Sequence, residues 1–300
     1  MLENEAQRLP TDLWTLFDTR SRILLSIVCL VAFLAFWWLG RVFSIPYNYG
    51  YDASLLAQPH RAADLLVTAA VFLALLLFAS LLTSSVRPEA GLFAACIGLA
   101  ALSTRGGPMC CTLQGHTAPH IFLDLALELA ALSLLLLIAA TVLRLIGRRI
   151  ARRESAAASD DLTHKFAAAA VQIFLTVLCL LILAQSDAKA QVLCAVFIAS
   201  WVGAAAAHTL FPLRTSLCFW TGPLVAGLLG YLVAYASARG DPSLIPIGIT
   251  NHPLARPLPL DYASLGPAGA LLGYWMSGKW HVARQLEQHS PAAAQPRSRK

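Results

Sequence analysis

His120, Asp124 and Glu128 stand four residues apart in the stretch CTLQGHTAPHIFLDLALELA, residues 111–130. On a helix that spacing places all three within an arc of about 80°, one above the other. An imidazole and two carboxylates on one face can carry protons, hold a cation or pair with a base. Glu128 would lie about 12 Å along the axis from His120, and below it the same face turns apolar at Leu132 and Leu135. In hydrocarbon a carboxylate is costly unless it is protonated, paired or hydrated. The stripe is therefore expected to face the bundle interior or a water-filled cavity, as a binding site or a proton path open to the outside. The bland counterpart is a protonated Glu128 serving as a hydrogen-bonded link between helices.

Other apolar runs offer partners. Arg41 closes the first run, where it can pair with Asp124 or reach towards headgroups. Ser200, at mid-depth in its own run, is placed to reach Glu128. Gln172 and Thr176 share a face, and His208 lies near the inner end of its run. A relay from Glu128 through these groups to the cytoplasm is the most extended reading of the set.

A second constellation is Cys110, Cys111 and His116. Thiolates and imidazoles suit zinc or copper, but adjacent cysteines lack the usual C-x2-4-C separation of structural zinc sites. A vicinal disulfide, or two plainly packed thiols, are the other readings. A haem on His116 or His120 would lack the C-x-x-C-H attachment motif. No cofactor is predicted.

The elements that must position these residues are membrane helices. The chain is 58% hydrophobic and 13% charged over 300 residues, against about 25% charged in soluble domains. Its apolar residues gather in long runs, and the period-two alternation of barrel strands is missing. The fold class is all-α, a polytopic transmembrane helical bundle of about eight spans. These are expected at 23–43, 63–84, 89–104, 120–143, 166–186, 190–211, 216–237 and 262–278. The last is short and broken by Pro267 and three glycines, so a re-entrant hairpin competes with a span there.

Lys and Arg in the connections set the orientation. The loop 144–165 carries Arg144, Arg148, Arg149, Arg152, Arg153 and Lys165 and is assigned to the cytoplasm. Eight spans then put both termini inside. Sixteen of the 22 basic residues fall on that side, and six (Arg41, Arg61, Arg105, Lys189, Arg239, Arg256) on the outer one. Residues 1–22 form a cytoplasmic segment with an interfacial helix, residues 23–278 the bundle in two four-helix halves joined by the basic loop, and residues 279–300 a cytoplasmic disordered tail. The outer connections 44–62, 105–119 and 238–261 are long and build a cap. Gly222, Gly227 and Gly230, and then Gly266, Gly269 and Gly273, mark faces for close helix packing.

The formal charge of +6 is mostly Arg at span ends, so nucleic-acid binding is not indicated. Phosphate-loop, zinc-protease, serine-hydrolase and dinucleotide motifs are absent. The lipid bilayer is the one required partner; a membrane-protein partner or a second copy is compatible with the cap and the glycine faces. These observations point to an inner-membrane protein of a bacterium, transporter- or channel-like, with an outward-facing polar cavity. The alternatives are a non-catalytic subunit or assembly factor, and a membrane-embedded metal or haem redox protein or enzyme.

Overall fold

The computed structural model describes residues 19–42, 70, 71, 73, 74, 88–114, 118–150, 162–213, 215–240, 245, 250 and 252–289. Every regular element among them is helical. In chain order these are α1 (Thr19–Val42), α2 (Pro88–Ser103), α3 (Met109–Gln114), α4 (Ile121–Ile150), α5 (Leu162–Leu183), α6 (Lys189–Leu210), α7 (Leu217–Trp220), α8 (Gly222–Gly240) and α9 (Pro259–His289), with a 3₁₀ turn at Pro253–Ala255. The all-α bundle is thus as the sequence indicates.

Five helical stretches among the described residues are long and apolar enough to cross a membrane: α1, α4, α5, α6, and α7 with α8. Each α5 or α6 residue adds about 1.5 Å of rise, so their 22 residues cover a hydrocarbon core about 30 Å thick. Eight such spans were expected, and the count falls short for three separate reasons. The expected second span lies outside the described residues except for 70, 71, 73 and 74, which are helical. The third is α2, with 16 residues. The eighth belongs to α9, which is 31 residues long and carries Pro267 in its interior. It runs unbroken through that proline, so no hairpin forms there. It also continues to His289, so residues 279–289 are helix rather than the start of a tail. At the basic loop, α4 extends to Ile150 and α5 begins at Leu162, while 151–161 lie outside the described residues, as does the expected interfacial helix.

Burial explains why α2 and α9 look unlike spans. α9 packs against α6, α2, α4, α8 and α7, and α2 packs against α1, α9 and α4. Both are interior helices whose faces meet protein. The five span-length stretches stand around them and turn large apolar side chains outward: Ile27, Leu30 and Leu34 on α1, Phe174 and Ile182 on α5, Leu229 and Val233 on α8. Polar side chains point the other way: Glu128, Gln172, Thr176, Ser200 and His208 are buried. An exterior of Leu, Ile and Phe over an interior holding acids and amides inverts the distribution of a water-soluble domain.

Glycine lets α6 and α9 meet backbone to backbone. A Cβ on Gly269 would stand 2.4 Å from the carbonyl oxygen of Phe197, and one on Gly273 2.3 Å from that of Trp201. The four-residue step is the same on both helices, which is the close approach that small residues permit in membranes. At the α7–α8 joint, Pro223 has no N–H to offer the carbonyl four residues earlier, on Phe219. The Gln172 amide of α5 donates to that carbonyl instead.

One end of the bundle gathers residues 104–114, 118–120, 184–188, 250 and 252–258 into a cap; the other gathers the end of α6, Ser216 and the start of α2, where Ser216 Oγ donates to Glu89 at 3.1 Å. Cys110 and Cys111 lie in the cap, whereas Cys194 is exposed on the outer surface of α6 and Cys179 half-buried on α5. In intact membranes a charged, impermeant thiol reagent should therefore modify Cys110 and Cys111 and miss Cys194, which becomes reactive only after the lipid is dissolved. Equal rates at Cys111 and Cys194 in intact membranes would contradict a lipid-covered α6.

Candidate functional site

His120 precedes the first turn of α4: its carbonyl accepts from Leu123 N at 2.8 Å and Asp124 N at 3.1 Å. Its side chain is exposed, that of Asp124 half-buried, and Glu128 is 1% exposed. The stripe therefore descends from surface to interior within two turns. Below it Leu129, Leu132 and Leu136 seal the inward face of α4.

Glu128 lies on the side of α4 that meets Tyr231 of α8. Tyr231 of α8 is within electrostatic reach of both Glu128 and Asp261, and of the Tyr262 ring, whose centroid lies 6.2 Å away at right angles. Gly227, one turn before Tyr231, leaves room for Leu129 and Tyr262, which a Cβ would meet at 2.7 Å. The two tyrosine hydroxyls are committed to the cap: Tyr231 donates to Pro257 O at 2.6 Å and Tyr262 to Leu254 O at 2.7 Å.

Asp261, 1% exposed, is the second buried acid. Pro259 opens α9 and Asp261 follows at the third position, where an acid can reach back to the N–H that precedes the helix. It does so: Leu258 N donates to Asp261 Oδ2 at 2.9 Å. Its Oδ1 accepts from Ser103 Oγ and pairs with Lys189 Nζ at 2.7 Å, the lysine side chain being 16% exposed. One carboxylate thus ties the ends of α2 and α9 to the start of α6. Next to it Arg256 donates to Ala184 O and lies 3.4 Å from Asp187, which also accepts from Thr250 Oγ1 at 3.0 Å. Arg105 donates to Trp37 O at 2.8 Å and lies over the Trp37 ring, 5.1 Å from its centroid.

The remaining sequence-derived residues distribute as follows. Arg41 is in the last turn of α1, with its side chain outside the described residues. Ser200 is fully buried, but its Oγ makes no hydrogen bond and lies 3.9 Å from where a Cβ on Gly266 would stand. It faces α9 and is not hydrogen-bonded to Glu128. Cys110 and Cys111 are free thiols, and His116 lies outside the described residues. Burial, then the neighbouring Cys111 and Asp187, push the Cys110 thiol above its ordinary pKa. Burial lowers that of His252, whose Nδ1 accepts from Leu254 N at 3.4 Å. Among the described residues no group of three His, Cys, Asp or Glu side chains is placed to share a metal ion.

Asp261, Lys189, Tyr231 and Tyr262 were not singled out in the sequence. The Pro-Leu-Asp signal of a helix start could have found Asp261. The lysine is 72 residues away in the chain, and no local pattern joins them. No protein-family model matches the chain, and neither does any curated protein or solved structure.

Proposed function

We propose that the chain is a multi-pass protein of a bacterial inner membrane that moves a solute or ion, with Glu128 as the protonatable group at the bottom of a path entered past His120 and Asp124. The observation that carries this reading is the burial of Glu128, about 10 Å below the start of an apolar helix, beside Tyr231. An acid kept there costs stability that leucine would not, which favours a use for it. With Asp124 half-buried and Glu128 closed over, the path is shut at its floor, and transport requires α4 and α8 to part around Gly227 and Tyr231.

The orientation is the one the basic residues indicate, with the cap outside and both termini in the cytoplasm. Sixteen of the 22 basic residues fall on the inner side in that orientation, which supports it; of the six on the outer side, Lys189, Arg256 and Arg105 are engaged by Asp261, Asp187 and Trp37.

Single cysteines at positions 124, 128 and 132, in a chain freed of its other accessible thiols, test the path. A small charged thiol reagent added outside should modify position 124 readily and position 128 slowly. Position 132, below the floor, should stay protected. Protection of position 128 under every condition that labels 124 would leave Glu128 as a structural link and end the transport reading.

A further inference from the structure

At the end of the bundle opposite the cap, His208 of α6 is 6% exposed and held at both ring nitrogens. Nε2 lies 3.2 Å from Leu213 O. A carbonyl only accepts, so Nε2 carries a hydrogen in every state of the ring. Nδ1 lies 2.6 Å from Ser277 Oγ on α9. That hydroxyl has a second partner, the carbonyl of Tyr274 at 3.1 Å. It can therefore donate to Nδ1, or rotate to donate to Tyr274 O while accepting from Nδ1–H. The first arrangement satisfies neutral imidazole and the second satisfies imidazolium, with no heavy atom moved.

Most buried histidines are satisfied in one protonation state only, because a fixed donor or a fixed acceptor faces Nδ1. Here the rotor makes both states complete. We infer that His208, with Ser277 as its positioning residue, is a second proton-carrying site, on the opposite side of the bundle from Glu128. The inference deepens the proton-coupled reading given above and rests on it for its use. The step is simple: the Nδ1 lone pair takes a proton from solvent at that end, the Ser277 O–H turns to Tyr274 O, and no other group changes its proton count. His281, partly exposed, is next in line towards that solvent. Its ring centroid is 5.5 Å from that of His208, and its Nε2 contacts His208 O at 3.2 Å.

The surroundings permit both charge states. α9 brings the titratable groups Tyr274, whose ring centroid is 4.6 Å away, and His281. α7 brings the Phe219 ring at 5.3 Å, and α5 brings Gln172, engaged on Phe219 O. Among the described residues the charged groups at this end of the bundle are Lys279 of α9, Glu89 of α2, bound by Ser216, Lys165 at the start of α5, and Arg20 and Arg22 at the start of α1; the titratable His164 of α5 packs on Phe211, its ring centroid 6.3 Å away.

The test uses the full chain in lipid nanodiscs, with nitrogen-15 in its histidine rings and NMR between pH 5 and pH 8, where imidazole titrates. His208 is assigned as the ring lost in His208→Gln, or, if that variant does not fold, as the ring displaced in Phe219→Leu, which removes the aromatic ring 5.3 Å from it. Nε2 should remain protonated throughout, and Nδ1 should gain its proton as pH falls while the helical fold persists. Ser277→Ala removes the acceptor of the charged form, whose hydrogen bond is the stronger one; it should move the titration midpoint to lower pH, so that above that midpoint the Nδ1-protonated fraction falls severalfold. An Nδ1 that stays unprotonated wherever the protein is folded, or a titration unmoved by Ser277→Ala, would overturn the inference. Glu128→Gln should leave this titration unchanged, so failure here removes the histidine site alone. Failure of labelling at position 128 removes the transport path and leaves the histidine chemistry standing.

Discussion

Asp261→Ala will destabilise the bundle by about 3–5 kcal/mol, the cost of removing one member of a buried ion pair. The loss has two parts. The Lys189 ammonium, 16% exposed at its side chain, keeps its charge without its partner. The Ser103 hydroxyl and Leu258 N–H lose an acceptor, at about 1–3 kcal/mol for each donor left buried and unsatisfied. Asp261→Asn removes the charge and keeps one acceptor: its amide oxygen can replace Oδ1, which faces Ser103, or Oδ2, which faces Leu258 N, and its NH2 then confronts the other donor. Adding Lys189→Met to Asp261→Ala removes the stranded cation, and replacing both partners of a buried pair is often close to neutral. The double variant should therefore recover a large share of the loss but not the share owed to Ser103 and Leu258. Unfolding of the wild type, Asp261→Ala, Lys189→Met and the double variant in detergent, followed by tryptophan fluorescence, measures the coupling. Strictly additive effects would show that the 2.7 Å contact contributes nothing, and the cap would then be held by its other hydrogen bonds, such as those of Tyr231, Tyr262 and Arg256.

This cluster also shows what the amino-acid sequence could and could not reveal. The perimeter helices α1, α4, α5 and α6 were legible within a few residues, because a surface turned to lipid must be apolar along its whole length. α9 was the least legible helix and is the axis of the bundle. From Leu260 to Gly278 its residues are buried or half-buried, and a helix enclosed by protein has no need of continuous hydrophobicity. Its glycines, which argue against a stable helix in water, are what admit α6 to its backbone. Pro267 reads as a break by local rules, yet neighbouring helices can hold a membrane helix through such a residue.

The site divides along the same line. The descent from His120 through Asp124 to Glu128 was visible because helical periodicity is local, and the structure places the three at successively greater burial. What stands opposite was not visible. Tyr231, Tyr262 and Asp261 lie more than 100 residues along the chain from Glu128, and only the packing of α4 on α8 and α9 brings them together. Ser200 failed as a partner for a similar reason. Its depth was readable, but its azimuth on α6 depends on which neighbour α6 faces, and that neighbour is α9. Three of the six basic residues that stand against the charge asymmetry, Lys189, Arg256 and Arg105, are engaged by Asp261, Asp187 and Trp37, which the sequence could not show.

Gly273→Ala will be among the most damaging single-methyl changes in the chain. The added Cβ would lie 2.3 Å from Trp201 O and 3.0 Å from Ala205 N, and both obstacles are backbone. A flexible side chain could swing aside; here α6 itself must move. Overpacking a filled interior costs about 1–3 kcal/mol and occasionally more, and a rigid neighbour places this site at the upper end. Gly269→Ala meets Phe197 O at 2.4 Å and should behave alike. Together the two should cost less than the sum of the singles, because one shift of α6 relieves both contacts. Gly240→Ala is the control: it closes α8 with nothing within 4 Å of its would-be Cβ, and should be neutral or slightly stabilising through helix propensity. Thermal unfolding of the four variants in one detergent decides the matter. If Gly273→Ala unfolds at the temperature of Gly240→Ala, α6 and α9 do not meet at these glycines. Serine at 273 should cost at least as much as alanine, since its Cβ occupies the same point and its hydroxyl adds bulk; a milder serine would mean that polarity, rather than contact distance, governs the position.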